Sequence, residues 1–104
     1  MSDGRRVVRT TASFFEDLDR QLDDERGSEG QPSVADFQVH ELLLIVEVFA
    51  TRFDSLPKMI PGRSDYRALV DAGTLVPAYL VVGQLVPDGA VELLQIDIDF
   101  NPLP

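Results

Sequence analysis

Three β-rich runs between Asp65 and Phe100 constrain this chain more than any other feature. Asp65-Tyr66-Arg67-Ala68-Leu69-Val70 leads into a turn at Asp71-Ala72-Gly73-Thr74. Residues 78–86 lead into a second turn at Pro87-Asp88-Gly89, and residues 90–100 close the stretch. β-branched and aromatic runs of this length, separated by glycine-containing turns, predict an antiparallel meander. The middle run is apolar on both alternating faces, so it is expected at the centre of the sheet and covered on both sides. The last run alternates: Leu94, Ile96, Ile98 and Phe100 fall on one side, Gln95, Asp97 and Asp99 on the other. The apolar side is expected to be buried against Leu18, Leu22, Phe49 and Phe53.

The first half of the chain must supply that cover. Arg5-Arg6-Val7-Val8-Arg9-Thr10-Thr11 is dense in β-branched residues and predicts a short strand, with Val7 and Val8 on opposite faces. Thr11 or Ser13 can then cap a helix; Ser13 stands three residues before Glu16, a capping-box spacing. Phe14, Leu18 and Leu22 make its apolar stripe, and Gly27 offers a left-handed end. After a loop at residues 28–32, Ser33 and Asp36 form a second capping box. Residues 36–53 carry one stripe of Phe37, Leu44 and Val48, with His40 between them, and another of Leu42, Ile45, Phe49 and Phe53. The run 42–46 is apolar all round, but the pattern is too long for a strand, which rarely exceeds ~10 residues. Ile60-Pro61-Gly62-Arg63 reads as a tight connection into the meander. The expected fold is a single α+β domain over residues 1–104. It has two layers, β-α-α-β-β-β, with an antiparallel sheet covered on one face by two helices.

Charge and composition narrow the function. The 104 residues are 44% hydrophobic and 26% charged, with no cysteine, so disulfides and thiolate metal sites are excluded. No secretory signal is visible and no apolar run is long enough to span a bilayer, which points to a cytoplasmic protein. The net charge is −9, and residues 1–30, 31–56 and 57–104 each carry −3. With no basic lobe along the chain, unaided nucleic-acid binding is not expected unless Arg63 and Arg67 make a local patch.

The chain resembles the RelE/ParE toxin superfamily of bacterial type II toxin–antitoxin systems. The matching pieces are Val7-Val8-Arg9-Thr10-Thr11-Ala12 leading into Phe15-Glu16-Asp17-Leu18, the Pro-Gly-Arg-x-x-Tyr-Arg entry at residues 61–67, and the paired strands around residues 79–82 and 91–98. The resemblance implies a small protein neutralised by an antitoxin segment that wraps around it. RelE-like members cut mRNA on the ribosome, whereas ParE-like members poison DNA gyrase. The RNA-cutting members use basic residues on the second and third strands and a basic or aromatic residue after the last. Arg67 matches one such position; Leu69 stands where a second would be, and Leu80 follows Tyr79 where the family usually has arginine. After the last strand the chain reads Asp97-Ile98-Asp99-Phe100-Asn101-Pro102, without the family's His, Arg or Tyr. The expectation is therefore a toxin-like component acting by protein binding, ParE-like or a degenerate RelE. An active ribosome-dependent endoribonuclease is the alternative, and an unrelated oligomer-forming α+β protein is the third reading.

The residues that can carry chemistry are few. Arg63 and Arg67 are the candidate catalytic cations; otherwise they pair with nearby acids. Asp97 and Asp99 share a strand face roughly 7 Å apart, either as a carboxylate pair or as a solvated face that blocks edge pairing. His40, the sole histidine, reads as a half-buried structural residue rather than a general base. Tyr66 and Tyr79 either stack bases or pack their rings. No metal site and no cofactor is expected. The partner-binding candidates are Glu16, Asp19 and Asp23 on the first helix and Leu43 and Val46 on the second. They fit either a basic antitoxin arm or, at the helix, a second copy of the chain.

Overall fold

The computed structural model describes residues 5–99 apart from 24, 26, 28–31 and 74. Chain order is β1 (Val8–Thr10), α1 (Ala12–Gln21), α2 (Val34–Asp36), a wide π-turn (Phe37–Glu41), α3 (Leu42–Arg52), a 3₁₀ turn (Phe53–Ser55), β2 (Lys58–Ile60), β3 (Arg63–Asp71), β4 (Ala78–Leu85) and β5 (Val91–Asp99). The domain is α+β, with one five-stranded sheet in the order β1-β5-β4-β3-β2.

The meander is present. β3, β4 and β5 pair antiparallel in sequence, and β4 is the central strand. Two expectations need correction here. The sheet is mixed, because β1 lies parallel to β5, pairing Val8 with Val91 and Thr10 with Leu93. A fifth strand, β2, was also not expected: it pairs antiparallel with β3, and the tight connection at residues 60–63 is the turn between them, where Gly62 has a φ of 81° that suits glycine. Three residues between Pro57 and Pro61 are too few to show a period.

The helices begin as their sequences dictate. The Thr11 hydroxyl, not Ser13, caps α1 by accepting from the Phe14 amide. Ser33 and Asp36 form the reciprocal capping box of α2. α1 does not run on to Gly27. It stops at Gln21, where Leu22 turns extended and becomes buried while its amide still bonds to the Leu18 carbonyl. The Asp23 carbonyl then accepts from Val34, tying the two helical segments together.

α1 also lies along an open strand edge. β1 covers β5 only as far as Leu93, and side chains spaced four apart on α1 continue the pairing. The Thr11 hydroxyl donates to the Leu93 carbonyl and Ser13 to that of Leu94. The Asp17 carboxylate accepts from the Ile96 amide at 3.3 Å. The Gln21 side-chain amide donates to Ile96 O at 2.7 Å and accepts from Ile98 N at 2.6 Å, as a neighbouring peptide group would.

The core lies between these helices and the sheet. Phe14, Leu18, Phe37, Ile45, Phe49, Val81, Val91, Leu93 and Ile96 have no exposed surface. Leu93, rather than Leu94, points inward, because the register slips at Val82/Gly83, leaving Leu94 as the extra residue of a bulge. Ile96 and Ile98 keep the inward side, Ile98 half-buried, and the expected burial of Phe100 lies outside the described residues. β4 is the central strand and none of its residues is exposed; on the face away from Phe49, Val82 is buried opposite Ala68, which is also buried, while Leu80 is half-buried opposite the exposed Val70. No helix among those residues is long and apolar enough to cross a membrane.

Candidate functional site

Topology separates charges that the sequence spreads evenly. β1 and β5 start, and β4 ends, at the same edge of the molecule, and β3 also begins there. Arg5, Arg6, Arg9, Arg63 and Arg67 therefore gather at one end. Asp71, Asp97 and Asp99 stand at the other, beside the β3–β4 loop that Glu41 holds. The even −3 in each third of the sequence thus conceals an uneven placement of arginines, which share their end with Glu47, Asp54, Asp65, Asp88 and Glu92.

The arginines at that end are engaged. Arg63 makes a two-pronged pair with Asp65, Nε to Oδ1 at 2.9 Å and Nη2 to Oδ2 at 2.8 Å, and lies over the Tyr66 ring at 4.9 Å. The Arg63 hydrogen bonds hold the Asp65 carboxyl at about 2, well below its ordinary value, with a smaller contribution from Gln84. Arg67 donates to three main-chain carbonyls, Ser64 at 2.8 Å, Leu56 at 2.8 Å and Asp54 at 3.3 Å, and stacks 5.6 Å from the Phe53 ring centroid. It caps the carbonyls where the helical segment ends, as a cation near a helix C-terminus does. Arg6 lies over the same ring at 5.8 Å and pairs with Asp54.

Arg5, Arg6, Val7, Arg9, Asp88, Gly89 and Ala90 line an open groove of about 580 Å³. Arg5 pairs with Glu47, Arg6 with Asp54 and Arg9 with both Asp88 and Glu92. The Ala90 amide, and then Arg9, lower the Asp88 carboxyl. The groove is thus walled by arginines whose charge neighbouring acids already offset.

The acids of α1 divide. Glu16, Asp19 and Asp23 face water, while Asp17 turns inward to Ile96 and pairs with Arg20. On the second helical segment the expectations shift. The sequence puts His40 and Leu44 on a stripe facing the core, but both are exposed, Leu44 at 53%. The opposite stripe, Leu42, Ile45, Phe49 and Phe53, takes the core, and Leu43 at 64% and Val39 at 59% stand in water. Val46 is half-buried against the core. On β5, Asp97 accepts from the Gln95 amide and lies opposite Leu80, and Asp99 lies opposite Ala78.

Sequence reasoning missed Glu41. Its side chain is 1% exposed and accepts from the Leu75 amide at 2.7 Å, anchoring the β3–β4 loop. The signal was a carboxylate between Phe37 and Ile45 at core spacing. Glu41 and Asp71 face Tyr79, and burial first, then those charges, raise the phenol to about 12. Comparison with protein-family models, curated proteins and solved structures finds no match for this chain.

Proposed function

We propose that this protein is the toxin-like component of a type II toxin–antitoxin pair of the RelE/ParE kind, cytoplasmic, and acting by binding protein. The observation that carries the reading is the engagement of Arg67. Its guanidinium, at the cation position that the resemblance marks, is spent on the carbonyls of Ser64, Asp54 and Leu56. Cutting RNA by 2′-hydroxyl attack needs a base, an acid and cations on the developing phosphorane charge. Arg63 is matched by Asp65, Leu69 is buried in the core, and Leu80 sits half-buried on the outer face of the sheet.

The antitoxin arm in this reading is basic where it crosses Glu16, Asp19 and Asp23, with apolar anchors at Leu43 and the exposed rim of Val46. The ribonuclease alternative draws on one observation, the gathering of arginines at one end. Inducible expression in a bacterial host, with and without the adjacent reading frame, tests the reading. Growth arrest relieved by the neighbour, with no new mRNA ends on programmed ribosomes, supports it. Reproducible cleavage abolished by Arg67→Ala replaces it with the ribonuclease, and growth unaffected by the protein alone refutes both.

A further inference from the structure

We infer that the free protein pairs with a second copy of itself, α3 against α3 in antiparallel orientation, through the exposed face centred on Leu43 and Leu44. The inference concerns the chain without any arm and stands whether or not the toxin reading does.

The face has three properties that select this occupant. It is apolar: Val39, Leu43 and Leu44 are all more than half exposed on one helical segment. It is also locally neutral. Its exposed acid, Glu47, meets Arg5 at 2.6 Å, so two molecules of charge −9 can approach here with little mutual repulsion.

Most selective is its symmetry. His40 and Glu47 lie two helical turns apart on the exposed side, and the Leu43–Leu44 pair sits midway between them. A twofold axis through that midpoint sets Leu43 of each copy against Leu44 of the other and His40 against Glu47, twice. An isologous interface requires this relation, in which one residue meets a second and the second meets the first. Each junction gives the His40 ring N–H a carboxylate acceptor, and Val39 extends the apolar strip toward Val48 of the other copy.

Analytical ultracentrifugation of the purified chain tests the inference. Wild type is expected to be a dimer that holds or tightens as salt rises, because screening removes the residual repulsion between acidic bodies. Leu43→Glu is expected to be monomeric with unchanged circular dichroism, since Leu43 contributes little to the core. His40→Glu sets two carboxylates against each other at each junction, and Glu47→Lys takes away both the acceptor of the His40 ring N–H and the acid that offsets Arg5. Each is expected to weaken the dimer at least tenfold. Mixed in equal amounts, the two variants regain paired junctions and are expected to form the heterodimer. A monomeric wild type, a dimer indifferent to Leu43→Glu, or single variants that mixing does not rescue would each overturn the inference.

Discussion

Gly83 makes the packing of the helices on the sheet measurable. It lies on the inward face of β4 beside the β5 bulge, and a Cβ built there would meet Phe49 Cε1 at 2.6 Å, Cδ1 at 2.9 Å and Val91 Cγ1 at 3.2 Å. Unstrained carbon contacts lie at about 3.5–4.0 Å, so the Phe49 ring would have to retreat by about 1 Å. It has nowhere to go: Phe49 and Val91 have no exposed surface, and the Phe53 ring stands 6.5 Å away on a second side. Overpacking of this kind costs about 1–3 kcal/mol, and replacing glycine inside a strand returns about 0.5–1. Gly83→Ala is therefore expected to lose about 1–2 kcal/mol. Phe49→Leu loses stability on its own, but it removes the ring atoms that the new methyl strikes. In that background Gly83→Ala should be neutral or stabilising, a coupling that independent sites do not show. Urea unfolding of all four proteins, followed by far-UV circular dichroism because the chain has no tryptophan, gives the cycle. A Gly83→Ala protein as stable as wild type, or costs that simply add, would refute the close approach of α3 to β4.

Three further outcomes follow from the arginines and the buried phenol. Arg67→Lys keeps the charge but loses the fork that reaches three carbonyls, and should destabilise by about 1–2 kcal/mol; a loss of activity at full stability would instead make Arg67 a site residue. Asp65 has a folded value below its unfolded one, so its contribution is present above about 4 and lost as pH falls through about 2. An NMR titration should show that midpoint, moved upward by Arg63→Gln; a wild-type midpoint at the ordinary value would contradict the pairing. Tyr79 is raised instead, so its contribution is intact below pH 10 and disappears as pH climbs toward 12. The late phenolate absorbance step should vanish in Tyr79→Phe, and a wild-type protein without that step would disprove the burial.

The features legible in the sequence were those with a local cause. Turn glycines, a capping box and a long switch of period placed β3 to β5 and the second helical segment. What escaped depended on partners distant in the chain. Leu93 and Leu94 exchange roles because of a bulge that no alternation reveals. His40 and Leu44 are exposed because Leu42, Ile45, Phe49 and Phe53 already fill the space over the sheet. β2 exists because β3 offers it an edge, and α1 ends early because Gln21 is claimed by β5. Arg67 shows the limit for site reading: the sequence supplied a cation of the right type, and only the fold showed the carbonyls that occupy it.

The side chains that line the edge of β5 have a consequence for how this protein opens. Elsewhere a sheet amide is released only when neighbouring strands separate, but the amides of Ile96 and Ile98 are held by Asp17 and Gln21, which belong to a ten-residue helix. Lifting that one helix frees them while β3, β4 and β5 stay paired. Their hydrogen exchange therefore reports the docking of α1, a sub-global opening with its own free energy below that of full unfolding. The same event bares the unpaired amides and carbonyls of the β5 edge beyond its bulge, the kind of edge that recruits other chains. In this fold a few polar side chains on one short helix stand between the native state and intermolecular strand pairing.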